Sequence, residues 1–360
     1  MLSLAGVITV RIAVISTPHE RTPPLRYGGT ERVVYYLVEG LVKRGHDVTL
    51  FATGDSFSRA KLRYAFEKPD RSYSAEREIQ HVLYALDEIR GDGFDFIHNH
   101  CDWYGIAPFL KGIEDIDVPA ATTTHGTYTR DFWFMVNPRN RGVFIAISKR
   151  QAEVHPFINY VGVVYNAIEP REYPFKRDKE DFLLFVGALL PHKGVHIAID
   201  VAKKLGMKLV IAGKPDVNYA DYYQSLLRQV DGNHITILGE VSEDEKRDLM
   251  SRAKCLLFTS TYEEPFGVVM IEAMACGTPV VALRNGAAPE VVEDGRTGYL
   301  VRSVDDMIKA VKLVDLIKPD ACRARVEELF SVDVMVESYL RMYRLISERA
   351  LVSLALSKRV

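Results

Sequence analysis

The chain has 360 residues, of which 48% are hydrophobic and 26% are charged, a composition that excludes a disordered or fibrous protein. Because a domain commonly holds about 150 residues, this length predicts two domains, with three as the alternative. Lysine and arginine total 46 against 48 acidic residues, so the net charge of −2 argues against a dedicated nucleic-acid-binding protein.

The four cysteines lie far apart and form no C-x-x-C pair, so neither a zinc ribbon nor a disulfide framework is predicted. Scattered cysteines in apolar segments fit a reducing cytoplasm. No run of eighteen apolar residues occurs, and we expect no transmembrane helix. The apolar start at residues 1–16 is interrupted by Arg11, and we interpret it as a leader into the first strand, not as a signal peptide.

The first half of the chain alternates short apolar runs with amphipathic segments. A strand is predicted at residues 11–16, a helix at 30–45 with Thr30 as its N-cap, and a strand at 46–51. Further strands are predicted at 94–100, 119–125, 142–148 and 161–166. This alternation predicts a parallel sheet with helical crossovers, and ligands bind at the carboxyl ends of such strands.

A second series of the same kind follows the charged segment 169–180, which we interpret as the linker between two domains. The sequence S-E-D-E at 242–245 has the form of a capping box, and an amphipathic helix begins at residue 332. Strands are predicted at 181–187, 208–213, 234–239, 255–260 and 278–283. The sequence therefore predicts two parallel α/β domains in tandem with a ligand cleft between them.

The segment 259–283 carries the strongest chemical signal. Glu264 and Glu272 stand eight residues apart, and a helix is predicted from Gly267 onward. The backbone N–H groups of Gly267 and Val268 at a free helix start would bind an anion, above all a phosphate. A carboxylate such as Glu272 inside an apolar run needs a partner, and a ribose diol would suit it. The alternative is a capped surface helix whose glutamates complement the helix dipole.

Two glycine-containing loops also precede predicted helices. In the segment 186–199, Lys193 opens a helix and could reach a phosphate across the strand ends. Gly28 and Gly29 precede the first helix and would let its backbone approach a phosphate or a sugar. Neither loop is a P-loop or a G-x-G-x-x-G motif, and each alone is compatible with a solvated loop or a turn.

Several histidines follow the predicted strands of the first domain. His125 ends the strand T-T-T-H and can reach the cleft, although a structural role fits the sequence equally well. His98, His100 and Asp102 together suggest a metal ligand set. We expect residues 98 and 100 to point to opposite faces of their strand, so no metal site is predicted.

Four segments together resemble the retaining glycosyltransferases of family 4, which have the GT-B fold. In chain order they are Y-G-G-T-E-R-V-V, V-V-Y-N-A-I-E-P, V-G-A-L-L-P-H-K-G and E-P-F-G-V-V-M-I-E-A-M-A-C-G-T-P-V-V. The resemblance implies two Rossmann-like parallel-sheet domains facing across a deep cleft. It implies an acceptor domain of residues 1–167 plus 338–360, to which the final helix returns, and a nucleotide-sugar donor domain of residues 168–337.

The resemblance also implies roles for the motif residues. Glu264 would lie close to the transferred sugar, His125 beside the same sugar, and Lys193 on the diphosphate, and these three would be the catalytic residues. The other donor-binding residues would be Gly28, Gly29, Gly213, Val241, Phe266, Gly267, Val268 and Glu272.

The implied reaction moves a hexose from a nucleoside-diphosphate sugar to a hydroxyl acceptor, with retention at the anomeric carbon. UDP-glucose is slightly preferred as the donor, and GDP-mannose is the second choice. Glu272 would bind the ribose, while Gly213 and Val241 would hold the nucleobase. Neither a metal nor another cofactor is expected, because lysines and helix N-termini neutralise the diphosphate.

The chain departs from the family pattern at Ala188, where an arginine usually joins the lysine on the diphosphate. By position, Lys214 or Arg284 could take its place, and Gly286-Ala287 replaces a glycine pair of many members. Ala188 supports an alternative function, a catalytically weak GT-B protein that binds a nucleotide sugar. The E-x7-E motif disfavours an epimerase, and a phosphorylase would need a cofactor lysine that the sequence lacks.

The sequence leaves the acceptor open between a sugar, a lipid and a small metabolite, and it leaves the oligomeric state open. The segment 59–71 combines five basic residues with three large apolar ones, a pattern with which some relatives contact lipid. Two acidic residues dilute its charge, and we interpret the segment as a solvated, mobile loop. We expect a cytoplasmic protein, with peripheral membrane contact as an option.

Overall fold

The computed structural model describes residues 9–26 and 28–357, with side chains up to residue 350. The first eight residues of the predicted leader and the last three of the predicted return segment 338–360 lie outside this part of the chain. Among the described residues, no helix combines the length and apolarity that crossing a bilayer requires. The predicted membrane contact and the cytoplasmic location stay predictions.

Except for the strand at residues 61–63, the first sheet is built from the predicted short apolar runs. Its strands are β1 (Arg11–Ile15), β2 (Asp47–Phe51), β3 (Lys61–Arg63), β4 (Phe96–Asn99), β5 (Ala120–Thr123), β6 (Phe144–Ala146) and β7 (Tyr160–Val163). All pair in parallel, in the order β3-β2-β1-β4-β5-β6-β7. Its helices are α1 (Gly29–Lys43), α2 (Ala75–Ile89), α3 (Ile106–Gly112), α4 (Arg130–Val136) and α5 (Lys149–Val154).

The second sheet repeats this design. Its strands are β8 (Phe182–Val186), β9 (Lys208–Ala212), β10 (Ile235–Gly239), β11 (Cys255–Phe258), β12 (Val280–Leu283) and β13 (Gly298–Val301), in the parallel order β10-β9-β8-β11-β12-β13. The helices that follow β8 are α6 (Val195–Leu205), α7 (Ala220–Leu227), α8 (Glu243–Arg252), α9 (Val268–Ala275), α10 (Ala288–Val291), α11 (Val304–Val311), α12 (Pro319–Leu329) and α13 (Val332–Ser357). The capping box of α8 is confirmed, and β13 was not predicted.

Two local predictions in the first domain are wrong. Helix α1 begins at Gly29 with Gly28 as its N-cap and no side-chain cap, so Thr30 lies inside the first turn. The segment 59–71 is not simply a mobile loop, because β3 within it extends the sheet beside β2. Its positive charges are also matched, since Arg59 pairs with an acid of α1 and Lys61 with one of β2.

The predicted linker at 169–180 is packed against the second domain. Tyr173 in it is buried and its hydroxyl donates to Glu272 of α9. Close by, the rings of Tyr165, Phe266 and Phe330 lie 5.5–6.0 Å apart and join the two domains in one apolar cluster. The junction between the domains is therefore part of the core and not an extended tether.

The last helix, α13, crosses back to the first domain, as the predicted fold class requires. The ring of Tyr343 stacks on Phe96 of β4 at a centroid distance of 4.3 Å. Near its start, α13 packs so closely on α1 that a Cβ at Gly40 would lie 2.5 Å from Cγ2 of Val336. The predicted boundary at residue 338 falls inside this continuous helix, and the domain boundaries stay a prediction.

The Gly40→Val substitution tests the tight contact between α1 and α13. Overpacking of this kind costs about 1–3 kcal/mol, so the melting temperature should fall by several degrees. Lys43→Val is the matched control, because Lys43 is exposed on the same helix. Equal melting temperatures for the two variants would show that α13 tolerates displacement from α1.

Candidate active site

A cleft of about 790 Å³ lies between the carboxyl ends of the two sheets. A narrower pocket of about 110 Å³ adjoins it, lined mainly by the second domain and also by residues at and just before the start of α1. Every predicted site residue lines one of these two spaces. The cleft is lined by His125, Lys193, Glu264, Phe266 and Gly267, the narrow pocket by Gly213, Val241 and Glu272, and both spaces by Gly28, Gly29 and Val268.

The centre of the cleft is an ion pair between Lys193 and Glu264. The Nζ of Lys193 lies 2.5 Å from Oε2 of Glu264, and both side chains are largely buried. The hydroxyl of Tyr262 donates to the other carboxylate oxygen at 3.1 Å, and the Oγ of Ser260 lies 3.3 Å from Oε2. The ammonium also lies 4.9 Å from the centroid of the Tyr262 ring. This pair places a cation and a carboxylate together at the ends of β8 and β11.

Two glycines hold this pair in place. Gly194 has φ 73°, and a Cβ there would lie 2.1 Å from the carbonyl oxygen of Thr259, so the lysine loop rests directly on the end of β11. Gly286 has φ 51°, and a Cβ there would lie 2.4 Å from the backbone of Glu264. The N–H of Ala287 donates to the carbonyl of Glu264 at 2.9 Å. The Gly286-Ala287 departure from the family pattern therefore still supports the Glu264 backbone.

Two helix N-termini open onto the cleft from opposite domains. Helix α9 starts behind Gly267, which has φ 83°, and helix α1 starts behind Gly28. Neither N-cap supplies a side-chain hydrogen bond to its helix. Because the first N–H groups of a helix carry a partial positive charge, the two ends form a site suited to an anion.

Glu272 is 2% exposed, and its Oε1 receives two hydrogen bonds. The Nζ of Lys246 lies 2.8 Å from this oxygen and the hydroxyl of Tyr173 lies 3.0 Å from it. Burial is the largest influence on the pKa of Glu272 and raises it, but Lys246, Arg32 and Tyr173 outweigh burial and lower it. Glu272 is therefore held as a carboxylate at the side of the narrow pocket.

His125 is fixed by the loop that follows β4. Its backbone N–H donates to the carboxylate of Asp102, which also accepts from the hydroxyl of Tyr128 and from the N–H of Gly126. Burial lowers the pKa of His125 to about 3 and raises that of Asp102 to about 6. His125 is thus a neutral imidazole at pH 7, able to exchange a hydrogen bond and unable to supply a positive charge.

The expectation that His98 and His100 face apart is wrong. Residues i and i+2 of a strand share a face, and the two ring centroids lie 4.1 Å apart. The Nδ1 of His100 lies 2.9 Å from Nε2 of His125, while His98 contacts the hydroxyl of Tyr343 at 2.7 Å. Among the described residues, however, no group of three histidine, cysteine or acidic side chains is placed to hold a metal ion.

The two lysine and arginine candidates for the missing cation lie in different places. Lys214 lines the cleft beside Ala188. Burial raises the pKa of Glu20 in the first domain, and this effect outweighs the opposing charges of Arg71 and Lys214. The charge of Lys214 therefore reaches the first domain. Arg284 pairs with Asp294 at 3.3 Å and is absent from the described residues that line the cleft. Of the two, Lys214 is the one positioned to meet a ligand.

The sequence analysis missed the ion pairs that join the domains next to the site. Arg32 of α1 contacts Glu243 of α8 at 2.8 Å, and Glu243 also contacts Lys246, the partner of Glu272. On the other side, Arg150 of α5 makes two hydrogen bonds of 2.8 Å to Glu263. These partners are far apart in the chain, and no local pattern in the sequence indicates them.

Two parallel-sheet domains that face each other across a cleft define a GT-B architecture, and comparison with known proteins agrees. Residues 27–168 match the family described as Glycosyltransferase Family 4, and residues 168–327 match Glycosyl transferases group 1. The two matches together cover residues 27–327, so the chain belongs to the family 4 type of glycosyltransferases and is a transferase enzyme. The predicted fold class and family are thereby confirmed.

Three individual proteins illustrate the similarity. An uncharacterised glycosyltransferase of Methanocaldococcus jannaschii is 28% identical over 308 residues, covering 81% of this chain and 86% of that protein. N-acetyl-α-D-glucosaminyl L-malate synthase of Bacillus anthracis is 25% identical, covering 88% of this chain and 93% of that enzyme. The crystal structure of AviGT4, a glycosyltransferase involved in avilamycin A biosynthesis, has a TM-score of 0.74 at 25% identity and covers 94% of this chain and 98% of its own.

The Lys246→Met substitution tests the charge balance around Glu272. Because the folded state lowers the pKa of Glu272, its ionised form stabilises the fold above its unfolded pKa, and this contribution is lost as the pH falls through the folded value. Removing Lys246 leaves a buried carboxylate, which costs about 3–5 kcal/mol at neutral pH. The loss should shrink towards pH 5, where Glu272 of the variant can take up a proton.

Unfolding in urea at pH 7 and pH 5 measures this difference. The double variant Lys246→Met/Glu272→Gln is the control, and it should recover part of the stability at pH 7 because the uncompensated charge is gone. The same loss at both pH values, without recovery in the double variant, would contradict the pairing.

Proposed function

We propose that this enzyme transfers a hexose from a nucleoside-diphosphate sugar to a hydroxyl acceptor with retention at the anomeric carbon and without a metal ion. The observation that carries the proposal is the Lys193–Glu264 pair, which lies in a cleft onto which two helix N-termini open. A cation, a carboxylate and two partial positive charges in one cleft match a sugar diphosphate, which brings anionic oxygens and sugar hydroxyls together.

The narrow pocket suits the nucleoside half of the donor. Gly213 and Val241 offer a small, flat wall for a nucleobase, and Glu272 lies beside it as a carboxylate. Tyr173 and Lys246 both contact Oε1 of Glu272. We assign Oε2 to the ribose hydroxyls, since a carboxylate oxygen accepts hydrogen bonds from them. Phe266 is buried against Tyr165 and Phe330, so we assign its side chain to holding the loop.

Binding of the diphosphate would exchange the carboxylate of Glu264 beside Lys193 for a phosphate. Glu264 neutralises Lys193, and a bound phosphate would take over that ammonium. Glu264 would then be released towards the hydroxyl groups of the donor sugar. The positive helix ends and Lys193 would stabilise the charge that develops on the leaving phosphate, an effect that commonly contributes about 10²–10³ in rate per donor group.

The transfer itself breaks the bond between the anomeric carbon and the diphosphate oxygen, and the electron pair leaves with the nucleoside diphosphate. The acceptor oxygen forms the new glycosidic bond on the same face, and its proton passes to an oxygen of the leaving phosphate. His125, held neutral by burial, would hydrogen-bond the donor sugar beside this centre. UDP-glucose is the preferred donor of the proposal, with GDP-mannose second.

Calorimetry on the purified chain tests the donor class. UDP, GDP and ADP are titrated in the presence of EDTA, followed by UDP-glucose, UDP-N-acetylglucosamine and GDP-mannose. We expect one base to bind selectively without metal. Binding that appears only after a divalent ion is added would contradict the metal-free proposal, and no binding to any nucleotide would contradict the donor assignment.

Substitution of the two glutamates should separate chemistry from binding. Glu264→Gln should reduce transfer to about 1% or less, because an interaction at the reacting sugar is lost. The same variant should bind UDP at least as tightly as the wild type, since Lys193 no longer has an internal anion. Glu272→Gln should weaken UDP binding about tenfold or more, because a hydrogen bond to a charged group is lost.

The ribose assignment has its own control. Wild-type protein should prefer UDP to 2′-deoxy-UDP, and Glu272→Gln should lose this preference. A Glu264→Gln variant with wild-type transfer, or a Glu272→Gln variant with unchanged preference for ribose, would contradict the assignment of that residue.

Ala188 supports a second candidate function, a protein that binds a nucleotide sugar and transfers its sugar weakly.

We propose that Lys214 supplies the second cation, so Lys214→Met should weaken UDP binding about tenfold and reduce its salt dependence. Arg284→Met is the matched control and should leave binding unchanged, because Arg284 pairs with Asp294 away from the cleft. Equal effects of the two variants would contradict the role of Lys214, and donor binding without turnover would favour the second function.

A further inference from the structure

A large aromatic ring borders the reacting end of the cleft on the first domain. Trp103 lines the cleft and remains 43% exposed. A Cβ on Gly126 would lie 2.9 Å from the indole, so the ring lies directly beside the residue that follows His125. An exposed tryptophan in a concave site is a binding surface, since its apolar area stays in water when the site is empty.

The ring is held in place before any ligand arrives. The backbone N–H groups of Trp103 and Tyr104 donate to the buried carboxylate of Glu78 at 3.4 and 3.2 Å. The indole packs against Tyr128 and Phe132 at centroid distances of 5.3 and 5.2 Å. A fixed aromatic surface loses little conformational freedom on binding, which favours affinity.

Apart from the start of α1, which the proposed function assigns to the diphosphate, the charges on the same wall disfavour an anionic acceptor. Among the described cleft-lining residues of the first domain, Arg71 is the one lysine or arginine, and both ends of its guanidinium contact Glu20 at 2.9 Å. Glu31 adds a buried carboxyl group that accepts from the hydroxyl of Thr17. A phosphate or carboxylate acceptor would meet Glu31 and a cation that is already paired, whereas a neutral hydroxyl group could donate to Glu31.

We propose that the acceptor is a neutral sugar whose ring lies against the indole of Trp103, with a hydroxyl directed towards the donor. The apolar C–H face of a pyranose packs on an aromatic face, and its edge hydroxyls meet the polar wall. This inference rests on the proposed donor function, and it names the acceptor class that the sequence leaves open. The enzyme would therefore extend a glycan or glycoside.

Quenching of tryptophan fluorescence by acrylamide tests the contact in the wild-type protein. The chain has two tryptophans, and Trp133 is fully buried, so acrylamide reports on Trp103. The probes are methyl α-glucoside and maltose, then malate and glycerol 3-phosphate, then phosphatidylglycerol vesicles, each with and without UDP. Of these probes, we expect only the two sugars to protect the tryptophan fluorescence from quenching. Protection by an acid or by vesicles, with none by the sugars, would overturn the inference.

Variants supply the second readout. Trp103→Ala should raise the KM for a sugar acceptor about tenfold, equivalent to about 1.4 kcal/mol, and Trp103→Phe should recover part of it. Tyr104→Ala is the matched control, because Tyr104 is an exposed aromatic residue in the same loop. Equal KM values for Trp103→Ala and Tyr104→Ala would overturn the inference.

Calorimetry with UDP on the same samples separates the two proposals. If UDP binds and no sugar protects Trp103, the acceptor inference alone is wrong. If UDP does not bind, the donor proposal is wrong, and sugar protection of Trp103 in the absence of nucleotide decides the acceptor inference by itself.

Discussion

The cleft depends on charges that are neutralised inside the protein. Lys193 pairs with Glu264, Lys246 with Glu272 and Arg71 with Glu20. An unpaired buried ion costs several kcal/mol, so these pairs let the folded chain keep ionised groups where a ligand must bind. Under the proposed function, a phosphate would replace Glu264 beside Lys193, so the affinity for a sugar diphosphate would be the difference between these two interactions.

The ion pair of Lys246 and Glu272 also depends on how the two domains are arranged. Arg32 of the first domain contacts Glu243, which contacts Lys246, which contacts Glu272 in the narrow pocket. Separation of the two domains would remove Arg32 from this series and strengthen the hold of Glu243 on Lys246. The carboxylate assigned to the ribose thus has its full set of positive neighbours only when the domains are together.

The sequence predicts those features that local patterns specify. Buried parallel strands appear as short apolar runs, and the E-x7-E segment places Glu264 before α9 and Glu272 within it. The errors arise where tertiary contacts decide. Thr30 is a good capping residue, yet α1 starts at Gly29, and a strand of three residues at 61–63 pairs only because β2 lies beside it.

Hydrogen-bond partners that are distant in sequence cannot be predicted from local patterns either. Tyr173 is 99 residues from Glu272 and Lys246 is 26 residues from it. No spacing rule links them, since one lies in a charged segment taken for a linker and the other in a strongly polar helix. The sequence can show that a buried acid needs a partner, but the fold decides which residues supply it.

Ala188 stands where an arginine is usual in the family, and this difference changes the geometry of the site more than its charge. Lys193 and Lys214 line the cleft, and two helix N-termini, each equivalent to about half a positive charge, open onto it. With the carboxylate of Glu264 included, they sum to about +2, which matches the charge of about −2 on a sugar diphosphate. An arginine would add a planar fork that fixes two phosphate oxygens at once, which an ammonium cannot do. Under the proposed function, we therefore expect the site to retain affinity for the donor, with any deficit in the alignment of the leaving group.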